Sequence, residues 1–212
     1  MDLPTSGLYA AKAAALTTAI ALIVVSRWRI DRHLEAVQRF GPANAVTSVR
    51  ALLTAAIAAL TGEPITPAVA GAAAVAGAIV LSLDGVDGWL ARRTRMTSAF
   101  GARYDMEVDA LLIQALAILA WTHGKAGAWV VLSGLLRYLF VAAGWIWPWM
   151  NRALFPSLRR KTICVAQIAG LLVALWPDVR PPLSNAAAAL ALAALSYSFL
   201  VDTLWLWRHR FA

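Results

Sequence analysis

Seven apolar runs, each close to the length that crosses a lipid bilayer, constrain this chain more than any other feature. They cover roughly 8–27, 44–62, 66–91, 105–123, 126–149, 161–176 and 184–207. About 20 apolar residues in a helix span the hydrocarbon core, and a backbone in lipid has to satisfy its own hydrogen bonds. The connections are too short to hold a folded soluble domain, so consecutive helices should pack antiparallel in one bundle. The expected fold class is therefore all-α, a polytopic transmembrane helix bundle. Composition agrees: 61% of the 212 residues are hydrophobic and 14% charged, which excludes an ordinary soluble domain. The single cysteine, Cys164, excludes an internal disulfide and any multi-cysteine metal site.

The net charge of +8 sits in short clusters between the apolar runs. That placement points to membrane orientation and anionic lipid, not nucleic acid. With the 92–103 loop inside, the basic residues at 27–39, 92–103, 152–161 and 208–210 all fall on the cytoplasmic side, leaving Lys12, Lys125 and Arg180 outside. The tryptophans form two interfacial belts consistent with this: Trp28, Trp89, Trp145, Trp147, Trp149, Trp205 and Trp207 near the inner ends, and Trp121, Trp129 and Trp176 near the outer ends. The first run carries its positive charge after the apolar stretch (Arg27, Arg29, Arg32), the reverse of a signal peptide, so an uncleaved helix with its N-terminus outside is expected. Residues 28–40 alternate apolar and basic positions at helical spacing, as an interfacial segment or a solvated connector would.

Against this apolar background, residues 84–109 place four aspartates in two pairs, Asp84/Asp87 and Asp105/Asp109. Spacings of i, i+3 and i, i+4 put each pair on one helix face. If one pair ends a helix and the other begins the next, the pairs meet across a short turn. Converging carboxylates repel unless cations neutralise them. An all-oxygen set selects Mg²⁺, Mn²⁺ or Ca²⁺ over soft metals. Gly88 and Gly101 allow a bulky ligand or a second backbone to approach, and Arg92 offers a guanidinium suited to phosphate oxygens. Aspartates paired with neighbouring arginines at a membrane surface would explain a bare D-x2-D, but not the whole ordered set.

That set, D-x2-D-G-x2-A-R-x8-G-x3-D-x3-D, resembles the signature of the CDP-alcohol phosphotransferase family at all its fixed positions: Asp84, Asp87, Gly88, Ala91, Arg92, Gly101, Asp105 and Asp109. The resemblance implies a six-helix core over 44–207, with the signature at the end of its second helix and the start of its third. The helix at 8–27 is then extra, so residues 1–43 form an N-terminal helix with its interfacial segment and 44–212 the catalytic membrane domain. It further implies two Mg²⁺ or Mn²⁺ ions, one on Asp84, Asp87 and Asp105 and the other on Asp84, Asp105 and Asp109. Asp109 would also be the base that takes the acceptor's proton. Gly88, Ala91, Arg92 and Gly101 would shape the CDP pocket, and a homodimer is the family's usual state. The implied reaction is attack of an alcohol on the lipid-side phosphorus of a donor such as CDP-diacylglycerol, releasing CMP in phospholipid synthesis at a bacterial-type plasma membrane.

Outside the signature, Asn44, Thr47 and Arg50 lie near one face at the start of the second run. Asn44 reads as a helix N-cap, and Thr47 and Arg50 as contacts to nucleotide or phosphate. Arg159, Arg160, Lys161 and Thr162 open the sixth run and resemble the K-x-K-T of phosphatidylglycerophosphate synthases. The cluster is either an anchor for anionic head groups or, with Arg137, a pocket for the acceptor's phosphate. Arg137 needs a partner within the bundle, for which Asp202, Glu107 and an acceptor phosphate are the candidates. Glycerol 3-phosphate is the expected acceptor, with serine, an inositol phosphate or phosphatidylglycerol as alternatives. Two other classes fit less well. Membrane prenyltransferases carry their aspartate motifs far apart in the chain, and a cation carrier would show an internal repeat, which this sequence lacks.

Overall fold

The computed structural model describes residues 6–34, 41–94, 98–155 and 157–210, with the backbone alone at 30–34, Ala91 and Arg92. Seven α-helices run through these residues: α1 Tyr9–Leu34, α2 Pro42–Ala59, α3 Pro67–Thr94, α4 Ala99–Thr122, α5 Leu132–Ile146, α6 Leu158–Leu175 and α7 Leu183–Arg208. No strand occurs among them, and the all-α bundle expected from the apolar runs is what the chain forms. Among the described residues, four spans are long and apolar enough to cross a membrane by themselves: Tyr9–Arg29, Pro67–Leu90, Ala128–Ile146 and Leu183–Arg208. The helices α2, α4 and α6 pack against these neighbours, so less of their surface has to be apolar.

The helix boundaries differ from the apolar runs where capping chemistry takes over. Helix α2 starts at Pro42, after an extended Gly41, because proline suits the first helical position, where no amide donor is needed. Asn44 is therefore not the N-cap; it sits within the first turn. Helix α4 starts six residues before the run at 105, since the Ser98 hydroxyl accepts the Gly101 N–H at 2.9 Å and caps it. Helix α1 continues through residue 34 without a break into a separate interfacial segment; residues 35–40 lie outside the described set. The fifth run is interrupted at Trp147, where Pro148 follows and a short 3₁₀ turn, Pro148–Asn151, takes over.

Helix α4 is the axis of the bundle. Leu112, Leu116 and Leu119 on it are wholly buried against Ile57, Val80, Ile168 and Leu171 from α2, α3 and α6. Small residues let the backbones close in. A methyl group at Gly77 on α3 would lie 2.6 Å from Leu172 of α6, and one at Gly170 would lie 2.7 Å from Ala191 of α7. The stripe of small residues in the third run thus serves tight packing, as expected. Asp84 stands 17 residues into α3, about 26 Å from its start at 1.5 Å per residue. A rise of that size carries the carboxylate from one edge of a ~30 Å hydrocarbon slab to the other.

Candidate active site

Four helices deliver side chains to one end of the bundle. The last turns of α3 supply Asp84 and Asp87, the first turns of α4 supply Asp105 and Asp109, α2 supplies Thr47 and Arg50, and α6 supplies Cys164. Carboxylate oxygens of Asp84, Asp105 and Asp109 all lie within 4.8 Å of one another. Asp87 is the buried member, turned toward α2, where it accepts the Thr47 hydroxyl at 3.2 Å.

At the centre is Arg50, whose side chain is entirely buried. Its guanidinium pairs with Asp84 at 3.0 Å and Asp87 at 2.6 Å, and donates to Asp105 and to Asp109. Sequence reasoning made Arg50 a phosphate contact; the fold gives it all four aspartates as partners. One guanidinium cannot neutralise four carboxylates, and burial makes the residual repulsion costly. An all-oxygen donor set of this charge and closeness fits a hard divalent cation, with Asp84, Asp105 and Asp109 the residues that would hold it. Thr47 is committed as well, donating to the Ala43 carbonyl and to Asp87.

A further group reaches the quartet that sequence reasoning did not single out. The Cys164 thiol lies 3.7 Å from Asp109 Oδ2 and donates to it. Arg160 and Lys161 precede it by four and three residues, so all three share one face of α6. That periodicity was readable, but nothing in the sequence says which helix the face meets.

Beside the quartet, an apolar cleft of about 650 Å³ runs between α3 and α6. Ala74, Ile79 and Leu83 line one wall, and Leu172, Val173 and Trp176 the other. Leu83, at one end of the cleft, directly precedes Asp84 in the chain. Ile79, Val173 and Trp176 are exposed, which opens the cleft to the outside of the bundle.

The family model for CDP-alcohol phosphatidyltransferase matches residues 40–200. The chain belongs to the CDP-alcohol phosphatidyltransferase family. It is thus an integral membrane enzyme that transfers a substituted phosphate group from a CDP-alcohol donor to an alcohol acceptor. No solved structure matches the chain. The matched segment starts at the foot of α2, so α1 lies ahead of it.

Within this family frame, the other expected site residues take these places. Gly88 is half-buried on α3, directly after Asp87. Gly101 lies in the first turn of α4 against Asn44, whose Oδ1 would stand 2.7 Å from an added methyl. The Ala91 and Arg92 side chains are outside the described set. Arg137 finds Glu107, one of its three candidate partners, on the preceding helix, α4. Asp202 instead serves α6: it is buried on α7 and accepts from Arg159 at 2.5 Å and from Arg160 at 3.4 Å. Arg159 also donates to the carbonyl and hydroxyl of Ser198, so it latches α6 to α7. Arg160 donates its other nitrogen to the Phe155 carbonyl. Lys161 stands exposed.

Proposed function

We propose that this enzyme transfers the phosphatidyl group of CDP-diacylglycerol to the hydroxyl of glycerol 3-phosphate, releasing CMP at the cytoplasmic face of a bacterial-type plasma membrane. The observation that carries the chemistry is the convergence of Asp84, Asp87, Asp105 and Asp109 from two helix ends, with three of the carboxylates within 4.8 Å. In this reading, a bond forms between the acceptor oxygen and the lipid-side phosphorus while the bond from that phosphorus to the CMP oxygen breaks. Asp109 takes the acceptor's proton, the role of a general base. Bound Mg²⁺ or Mn²⁺, two ions held by the quartet, would supply charge offset for the pyrophosphate and the departing CMP. Arg50 keeps the carboxylates convergent, and the Cys164 thiol orients Asp109 through its second oxygen.

The cleft between α3 and α6 supports a lipid donor, since its walls are apolar, it opens to the side of the bundle, and it reaches Leu83, the residue before Asp84. A phosphorylated acceptor is supported by Arg160 and Lys161, which lie about one turn, ~5 Å, from Cys164 on the face that meets Asp109. Gly88, Ala91, Arg92 and Gly101 are assigned to the nucleotide side, by the family's signature. Residues 1–43 are an accessory segment to a catalytic domain at 44–212, the C-terminus is cytoplasmic, and the working unit is a homodimer.

The test uses purified protein in detergent with CDP-diacylglycerol, Mg²⁺ or Mn²⁺ and a panel of acceptors: glycerol 3-phosphate, serine, an inositol phosphate and phosphatidylglycerol. CMP release with glycerol 3-phosphate is the expected outcome. Release only with an uncharged acceptor overturns the acceptor assignment, and no CMP with any acceptor overturns the donor.

A further inference from the structure

Helix α1 lies ahead of the segment that matches the family, yet it packs against the site from behind. At the end of the bundle away from the quartet, the buried Glu63 carboxylate fixes it. Glu63 accepts from the Ser6 backbone N–H, from the Ser6 hydroxyl at 2.8 Å and from the Lys12 ammonium. Lys12 donates to the Thr61 carbonyl as well, at 3.0 Å. At the quartet end, Ile20, Val24 and Trp28 form one stripe of α1 at i, i+4 and i+8. They pack against Ala51 of α2 and Phe100, Tyr104 and Val108 of α4. Ala51 directly follows Arg50, and Tyr104 and Val108 directly precede Asp105 and Asp109. The stripe thus lies on the backs of the helical turns whose fronts meet at the quartet. The Tyr104 hydroxyl adds a 3.3 Å bond to Ser48 across the same α2–α4 seam.

We propose that α1 is a positioning element of the active site. By bridging α2 and α4 from behind, it sets the separation at which Arg50 meets Asp105 and Asp109. Ile20, Val24 and Trp28 are the positioning residues. Arg50 reaches α4 from α2 through two charged hydrogen bonds, and such bonds weaken steeply with distance and misalignment. Small shifts of a reacting group cost far more in rate than in stability. The inference rests on the quartet being the catalytic centre, and its test includes an arm that does not depend on turnover.

The experiment compares full-length wild type with Trp28→Ala, Val24→Ala, Trp28→Phe and a packing control, Leu175→Ala. Leu175 is wholly buried at the far end of α6. Two quantities are read: kcat for CMP release, and Mn²⁺ binding followed by electron paramagnetic resonance. Trp28→Ala is expected to lower kcat about tenfold and to weaken Mn²⁺ binding. Val24→Ala should move both in the same direction by less, and Trp28→Phe should recover most of the loss. Leu175→Ala should lower the Tm while leaving both quantities within about twofold of wild type. Unchanged kcat and Mn²⁺ binding in Trp28→Ala overturn the proposal, as does an equal kcat loss in Leu175→Ala at a matched fall in Tm. If the wild type releases no CMP, the functional reading fails on its own, and the Mn²⁺ titration still decides whether α1 positions the quartet.

Discussion

Arg50 and Asp109 should have opposite signatures when altered, because in the proposed reaction one holds charge together and the other uses it. Replacing Arg50 by Gln leaves four carboxylates facing one another at a partly buried site, a change that costs roughly 3–5 kcal/mol when a buried pair is broken. The expected result is a large fall in Tm in chelator. Mg²⁺ should then raise the Tm of Arg50→Gln more than that of wild type, through stronger linkage to the folded state; equal increments would show that Arg50 does not neutralise the quartet. Asp109→Asn should instead leave the Tm near or above wild type, because it removes one of the repelling charges. Its CMP release should fall about a hundredfold or more, the range expected for loss of a general base. The four aspartates were legible because helical spacing alone puts each pair on one face. Arg50's true surroundings were not, since its partners lie 34 to 59 residues away in the chain. Only packing of α2 against α3 and α4 brings them together. The place of Cys164 beside Asp109 was hidden for the same reason, and Asp202 appeared as a candidate partner for Arg137 when it belongs to Arg159 and Arg160.

Helices in this bundle are fastened at their far ends by single polar residues, and these fastenings carry their own tests. The Glu63 carboxyl is held down to about 2, first by its hydrogen bond from Lys12 and then by the Ser6 backbone N–H, against an ordinary value of 4.5. A depressed carboxyl contributes stability that is fully present above pH 4.5 and is lost as the pH falls toward 2. Glu63→Gln should therefore melt below wild type at neutral pH, with the difference closing over that acid window; a constant difference would disprove the ion-pair origin. Lys125 plays a comparable part for the turn between α6 and α7. Its ammonium donates to the carbonyls of Trp176, Pro177 and Val179 at 3.0, 3.1 and 2.6 Å. Lys125→Met should cost about 1 kcal/mol, because it removes charged hydrogen bonds to carbonyls that water can partly re-satisfy, with CMP release unchanged at temperatures below the melt. Element boundaries were readable only in part. Pro148 announces the break after α5, whereas α4 begins at a serine cap that hydrophobicity cannot register, and α1 outruns its apolar stretch because nothing polar stops a helix there.

For the molecule as a whole, the charge asymmetry predicts which way it sits. In a Cys164→Ala background, Arg180→Cys should react with an impermeant maleimide on intact cells, while Arg208→Cys should react only after permeabilisation; the reverse pattern would invert the topology. The seven-helix bundle was legible from length and hydropathy, because a bilayer leaves the backbone few alternatives. How the helices associate was not, since lipid-facing and helix-facing apolar residues look alike in sequence. That ambiguity hid the cleft between α3 and α6, whose exposed Ile79, Val173 and Trp176 face outward like any lipid-contacting residues. A substrate entering by such a side door never passes through water. Its encounter with Asp84 is then a two-dimensional collision, governed by mole fraction in the membrane and not by molarity. Adding inert detergent or phospholipid at a fixed total donor concentration should slow the enzyme by surface dilution, and the cell would throttle it through the makeup of the bilayer itself.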